Sequence, residues 1–122
     1  MQPTFDPQKP LFLSIAEWLE DAILSGIYCE EGQVPSITEI SLRYNINPAT
    51  ALKGVNLLVE GGLLYKKRGL GMFVAAGARA KLLERRQEQF FESYILPLVA
   101  EAKRLQIQAG NLAAMIERGY DQ

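Results

Sequence analysis

The sequence of 122 residues contains no histidine, a single cysteine and a single tryptophan. Without histidine, the commonest general base and the commonest metal ligand are both missing, which disfavours hydrolytic and metal-dependent chemistry. The lone Cys29 allows neither an internal disulfide nor a multi-cysteine metal site. No convergent set of nucleophile, base and metal ligands replaces them. We therefore predict a protein that is not an enzyme, with no catalytic residue, cofactor or metal ion.

An excess of charge of one sign and a long apolar run are also missing. The chain has 13 basic and 14 acidic residues, a net charge of −1. DNA-binding proteins usually show a basic excess, so a DNA site must depend on where the basic residues lie. The longest apolar runs are too short to span a bilayer, and residues 1–10 do not have the pattern of a secretory signal. We expect a cytoplasmic protein that does not associate with membranes.

The first part of the chain contains two predicted amphipathic helices. Residues 11–26 repeat apolar side chains at helical spacing, and Gly26 is suited to end that helix. The second helix begins after Ser36, whose hydroxyl and the carboxylate of Glu39 form a capping box. It ends at Asn45, a residue that tolerates the left-handed conformation at a helix exit.

A third predicted helix follows across a very short turn. Asn47 is its cap, Pro48 takes the first helical position, and the helix runs to about Val59. A helical step of about 100° per residue divides its side chains into two faces. The inner face is predicted to hold Ala51, Leu52, Val55, Leu58 and Val59. The outer face is predicted to hold Ala49, Thr50, Lys53, Asn56, Leu57 and Glu60, with Leu57 its one large apolar residue.

The segment EGGLLYKKRGLGMFV predicts a β-hairpin, because two short apolar runs flank a glycine-containing turn at residues 68–71. Three helices followed by a hairpin describe a winged helix-turn-helix over residues 1–76. The hairpin is the wing of that fold.

Residues 77–122 are predicted to form a helical tail with an apolar stripe. Pro97 lies inside the first tail helix, so we expect a kink or a restart there. A last helix is predicted from about Ala109 to Gly119. The predicted fold class is mainly α with a small β wing, a winged helix-turn-helix followed by a two-helix C-terminal dimerisation tail. The predicted dimerisation residues are Phe90, Phe91, Tyr94, Ile95, Leu98, Val99, Leu105, Leu112 and Ile116.

Two other uses of the tail stay open. Its apolar stripe could pack on its own winged domain, and Phe90, Phe91 and Tyr94 could line a pocket for a small-molecule effector. The length of the stripe favours dimerisation, because large apolar patches are seldom left exposed in monomers. If the third helix binds DNA, a symmetric dimer would present two copies of that helix to the half-sites of a palindromic operator.

The third helix has the properties of a DNA-reading helix. In a helix-turn-helix, the N-terminal part of the second helix of the motif faces the base edges in the major groove. Pro48 and Ala49 are small enough for close approach, Thr50 offers a hydroxyl and a methyl, and Lys53 offers a positive charge. The same residues would also suit an ordinary solvated helix face.

The predicted wing concentrates positive charge in Lys66, Lys67 and Arg68, beside glycines that allow close approach to a phosphate backbone or a minor groove. Such a cluster also occurs in simple surface hairpins. A second hypothesis is therefore a winged-helix module that docks a protein, which the near-neutral charge and the outward Leu57 favour.

The order of these elements resembles the GntR family of bacterial transcription regulators over residues 10–74. Residues 75–122 are similar to the short tail of the YtrA-type subgroup. The resemblance implies a homodimeric repressor of an operon near its own gene, often one for transport. The segments that carry it are PLFLSIAEWLEDAILSG, GQVPSITEIS, NINPATALKGVNLLVEGGLL, RGLGMFV and, in the tail, FFESYILPLVAEAKRLQIQ.

The resemblance also implies which residues contact DNA. Thr38 stands where the family usually has arginine, and Gln106 and Gln108 stand where glycine and serine usually end one tail helix and cap the next. We therefore expect a missing DNA contact at Thr38 and poor cap chemistry at the tail corner. The predicted DNA-binding residues are Ser36, Thr38, Asn47, Pro48, Ala49, Thr50, Lys53, Lys66, Arg68 and Gly69.

Overall fold

A computed structural model describes residues 5–122 of the chain. The described residues divide into two compact units, a first that ends at Glu84 and a second over Arg85–Gln122. The elements in chain order are the helices α1 (Leu11–Leu24), α2 (Ile37–Tyr44) and α3 (Pro48–Glu60), the strands β1 (Leu64–Lys67) and β2 (Gly71–Val74), helix α4 (Ala78–Phe90), a π-helical turn (Phe91–Ile95), and helices α5 (Leu96–Arg104) and α6 (Ala109–Tyr120). The predicted class, mainly helical with a two-stranded wing and a helical tail, is confirmed.

The core of the first unit lies between α1 and α3. Ile15, Leu19 and Ile23 recur every four residues along α1 and are almost completely buried. They meet the buried face of α3, where Val55 and Leu58 are buried to the same degree. Fully burying each of these side chains is worth about 1.5–3 kcal/mol, so the contact between the two helices contributes substantially to the stability of the unit.

Both helix starts of the helix-turn-helix are capped as predicted. The backbone N–H of Glu39 donates to Ser36 Oγ at 3.0 Å, and the Ser36 N–H donates back to Glu39 Oε1 at 3.2 Å. Asn45 ends α2 in the left-handed conformation, with φ of 54°. At the start of α3, Asn47 Oδ1 accepts from the Ala49 N–H at 2.8 Å, and Pro48 follows the cap. Ser36 and Glu39 therefore fix where α2 begins, and Asn45, Asn47 and Pro48 fix the turn between α2 and α3.

The wing is an antiparallel hairpin with Leu64 opposite Val74 and Lys67 opposite Gly71. Its loop is residues 68–70, one residue shorter than predicted, because Gly71 already pairs in β2. A neighbouring segment, residues 31–34, extends the hairpin on the β2 side: the Val34 N–H donates to the Met72 carbonyl at 3.0 Å.

In the second unit the predicted interruption at Pro97 is confirmed. The helix passes through the π-helical turn, and α5 restarts at Leu96 with Pro97 in its first turn. The Leu96 N–H donates to the Phe91 carbonyl five residues back, and this π-helical hydrogen bond precedes Pro97, which has no N–H to donate. At the next corner Gln106 has φ of 60°, and the Gln108 side chain makes no capping hydrogen bond to α6. Both findings confirm the predicted poor cap chemistry.

Candidate nucleic-acid interface

The turn between α2 and α3 is held from within the first unit. Ile46, in the middle of the turn, is buried in the core. Its backbone N–H donates to the Ser41 carbonyl at 3.0 Å, and the Ser41 hydroxyl donates to the Ile46 carbonyl at 2.5 Å. The crossing of α2 over α3 is therefore set by a buried apolar anchor and a reciprocal pair of hydrogen bonds.

The start of α3 presents the predicted reader residues to solvent. Asn47, Pro48, Ala49 and Lys53 are exposed, and Thr50 is half-buried. The Lys53 ammonium lies 4.0 Å from the centre of the Phe12 ring on α1, a cation–π distance. Phe12 was not a predicted partner, because nothing in the periodicity of α1 links it to α3.

The predicted inner face of α3 is wrong at two positions. Leu52 is 47% exposed and Val59 is 37% exposed, whereas Gly54 is buried. The buried face is centred between Ala51, Gly54, Val55 and Leu58, and Leu52 and Val59 lie roughly 100° from that centre by helical geometry. Leu57 is consequently not the only large apolar residue that points outward. The true inner face was hidden because glycine gives no hydrophobic signal.

Gly54 has a steric role that the sequence interpretation missed. A Cβ at this position would lie 2.8 Å from the Phe12 carbonyl oxygen and 3.0 Å from Ile15 Cβ. No real side chain shows so short a contact with backbone. The absence of a side chain at Gly54 therefore determines how closely α1 packs behind the reader helix.

The second predicted group of DNA-binding residues lies at the start of α2. Thr38 is exposed, and Ser36 is half-buried with its Oγ engaged as the cap acceptor. The Ser36 hydroxyl proton is still available to an oxygen ligand, because a hydroxyl both accepts and donates. No charged side chain occupies the Thr38 position, so phosphate contact there would depend on neutral donors.

The wing carries the remaining predicted residues. Lys66, Arg68 and Gly69 are exposed, and Gly69 has φ of 79°, a conformation that favours glycine. Lys67 is also exposed, with its ammonium 4.7 Å from the centre of the Phe73 ring. The wing therefore presents three cationic side chains within one short hairpin.

Two side chains outside the hairpin support the wing. Gln33 Nε2 donates to the Leu70 carbonyl in the loop at 2.8 Å. The Tyr65 hydroxyl donates to Glu31 Oε2 at 2.6 Å, and this hydrogen bond raises the pKa of the tyrosine. Sequence reasoning found neither support, since the partners are more than thirty residues apart.

The predicted dimerisation residues are largely exposed. Phe91 is 57% and Tyr94 64% exposed, and the Phe90 and Tyr94 rings lie 5.2 Å apart. Ile95, Val99 and Leu112 are half-buried. The remaining exposed members of the set are Phe90, Leu98, Leu105 and Ile116.

Two kinds of feature are absent from residues 5–122. Over that range, none of the helices combines the length and the apolar character that a membrane span requires. The same residues bring together no group of three or more histidine, cysteine, aspartate or glutamate side chains that could hold a metal ion.

Comparison with known proteins places this geometry in a family. No family model matches the chain. The HTH-type transcriptional repressor YtrA of Bacillus subtilis is 27% identical over 81 residues, which cover 65% of this chain and 62% of YtrA. Other curated transcription regulators match over 64 or 65 residues, and the chain spans only about a quarter of their length.

Two solved structures are informative. A structure from Bacteroides thetaiotaomicron, assigned to transcriptional regulators of the GntR family, is 31% identical with a TM-score of 0.73, and the match covers 91% of this chain and 96% of that one. AraR(DBD) in complex with operator ORX1 is 27% identical with a TM-score of 0.54, over 62% of this chain and 90% of that one. The YtrA match is consistent with the YtrA-type subgroup. With similarity of this extent to a GntR-family structure along nearly its whole length, the chain belongs to the GntR family of transcription regulators.

Proposed function

We propose that this protein is a homodimeric repressor that binds a palindromic operator near its own gene, in an operon such as one for a transporter. Residues 1–76 form the DNA-binding domain and residues 77–122 the dimerisation tail. The observation that carries the proposal is the solvent-exposed start of α3 beside an exposed basic wing. It is supported by the likeness of the chain to AraR(DBD), which was solved with operator DNA.

The dimensions of α3 fit the major groove. The groove is about 12 Å wide, and an α-helix with its side chains is about 10–12 Å across. Small residues at Pro48 and Ala49 leave room at the entry point, and Asn47, Thr50 and Lys53 supply polar atoms around them. The helix is therefore narrow where it would enter the groove and polar at its margins.

The wing supplies sequence-independent attraction. Lys66, Lys67 and Arg68 would neutralise phosphates or line a minor groove next to the site that α3 reads, with Gly69 at the contact. At the start of α2, Ser36 and Thr38 would donate to phosphate oxygens. These contacts position the protein, and α3 contributes the discrimination between bases.

The proposed test is binding to the DNA upstream of the protein's own gene, measured by fluorescence anisotropy at two salt concentrations. A scrambled duplex of equal length is the control. A repressor is expected to prefer the native duplex and to lose affinity with a slope of about −0.9 per phosphate neutralised. Absence of binding to either duplex at low salt would exclude the proposal and favour the protein-docking module.

A further inference from the structure

Leu52 is an apolar side chain on the face of α3 that would enter the major groove. It is 47% exposed and lies one helical turn beyond Pro48, which is also exposed. Helical geometry puts Leu52 about 60° from Ala49 and about 40° from Asn56 around the axis. The reader face is consequently apolar on the side of Pro48, Ala49 and Leu52.

The neighbours of Leu52 on the outer surface of α3 are Ala49, Lys53, Asn56, Leu57 and Glu60. The cationic member, Lys53, directs its ammonium to the Phe12 ring at 4.0 Å. Ala49 has no polar side-chain atom, so Ala49 and Leu52 present carbon atoms alone at the entry side of the helix. A base edge facing them would meet methyl groups.

We propose that Leu52 is a specificity-determining residue that recognises the 5-methyl group of a thymine in the operator. The inference rests on the proposed function, because it assumes that α3 lies in the major groove. Thymine is the only base that presents a methyl group in that groove. Cytosine carries only a hydrogen at C5, so it would lose the apolar contact with Leu52 that the thymine methyl group makes.

The surroundings of Leu52 favour a base over a protein as its partner. A stable protein interface buries on the order of 800 Å² per partner around a hydrophobic centre. Here Leu52 lies on the convex surface of a single helix, and Lys53, Asn56 and Glu60 place polar groups around it. A single methyl group needs only a small apolar contact, and polar neighbours suit a site bordered by phosphates and base edges.

The experiment uses the full-length chain and a duplex selected by it from a random-sequence library. Each thymine of the selected duplex is replaced in turn by deoxyuridine, which removes only the 5-methyl group. Affinities are measured by fluorescence anisotropy for the wild-type protein, for Leu52→Ala and for Leu57→Ala. Leu57 is the matched control, an exposed leucine on the same helix that lies farther from its N-terminus.

The wild-type protein is expected to lose about fourfold in affinity at one uracil position in each half-site, the effect of removing one buried methyl group. Leu52→Ala is expected to be insensitive to the same replacement, and Leu57→Ala to retain the wild-type response. Because Leu52 is half-exposed and alanine favours helix, the fold should persist, which circular dichroism verifies.

Three results would contradict the inference, and only the first would also contradict the proposed function. If the library yields no enriched duplex, both the inference and the proposed function fail. If a duplex is enriched but no uracil replacement weakens binding, the methyl contact is absent while the proposed function stands. If the uracil effect persists unchanged in Leu52→Ala, another residue reads the methyl group.

Discussion

At the residue scale, Gly54 determines how closely α1 packs against the reader helix α3. Gly54 lets α3 approach the Phe12 carbonyl of α1, and Phe12 in turn receives the Lys53 ammonium. A residue that contributes no hydrophobic surface thus places one of the predicted DNA contacts. The hydrophobic pattern of the sequence does not predict this packing, because a buried glycine has no apolar side chain that would mark its position as buried.

Replacement of Gly54 by alanine is expected to lower the free energy of unfolding by about 1–3 kcal/mol, since its Cβ would overlap backbone and the branched Ile15 side chain. Urea unfolding measures the change. Gly110→Ala in α6 is the control, because a Cβ there meets nothing within 4 Å. That variant should be as stable as the wild type or slightly more stable. A Gly54→Ala variant of undiminished stability would disprove the close packing.

Lys53 and Arg68 are expected to differ in how their loss affects DNA binding. Lys53→Ala should weaken binding to the selected duplex by about 1–3 kcal/mol through loss of a base contact. Arg68→Ala should weaken binding to all duplexes similarly and reduce the salt slope by about one unit. Lys103→Ala, an exposed lysine of α5, is the control. Wild-type affinity in both test variants would show that DNA binds elsewhere.

At the scale of elements, helices α2 and α3 begin with side-chain caps, whereas α6, after the corner at residues 105–108, does not. The starts of α2 and α3 have complete side-chain caps, and their boundaries agree with the sequence prediction. The start of α6 has none, and Gln106 before it adopts a positive φ. Local hydrogen bonds make helix starts predictable, since each cap depends only on residues within one turn.

Restoring a cap at the start of α6 should stabilise the tail. Gln108→Ser places a hydroxyl where it accepts from the first N–H groups of α6, and the expected gain is about 0.5–1 kcal/mol. Gln87→Ser, within α4, is the control and should give a small loss because serine disfavours helix interiors. Thermal unfolding followed by circular dichroism distinguishes the two. A loss of stability in Gln108→Ser would show that the corner is not limited by its cap.

At the scale of the whole molecule, the tail exposes several aromatic residues. Phe90, Phe91 and Tyr94 each expose at least half of their surface. Surfaces of this kind are characteristic of interfaces. Under the proposed function, a second copy of the chain covers these aromatic side chains in the dimer.

Sedimentation equilibrium at micromolar concentration is expected to give twice the chain mass of 13.6 kDa. Phe91→Glu should weaken the dimer at least about tenfold, because a buried unpaired carboxylate is costly. Leu42→Glu is the control, since Leu42 is an exposed apolar residue of α2 outside the tail. A monomer in the wild-type protein would refute dimerisation.

The sequence by itself determined the features that depend on neighbouring residues: the capping box at Ser36 and Glu39, the exit at Asn45, the start of α3 and the restart at Pro97. Each follows from backbone hydrogen bonds or from a fixed φ angle, which act over a single helical turn.

Only the tertiary structure decided the features that depend on residues far apart in the chain. It placed Leu52 on the outer face of α3, gave Gly54 the buried position, and joined Gln33 to the wing loop. Helical periodicity limits which side chains share a face, but the rotation of the helix is set by the surface it packs against. For α3 that surface is α1. The Phe12 carbonyl oxygen lies so close to position 54 that this position has room for glycine but not for a residue with a side chain.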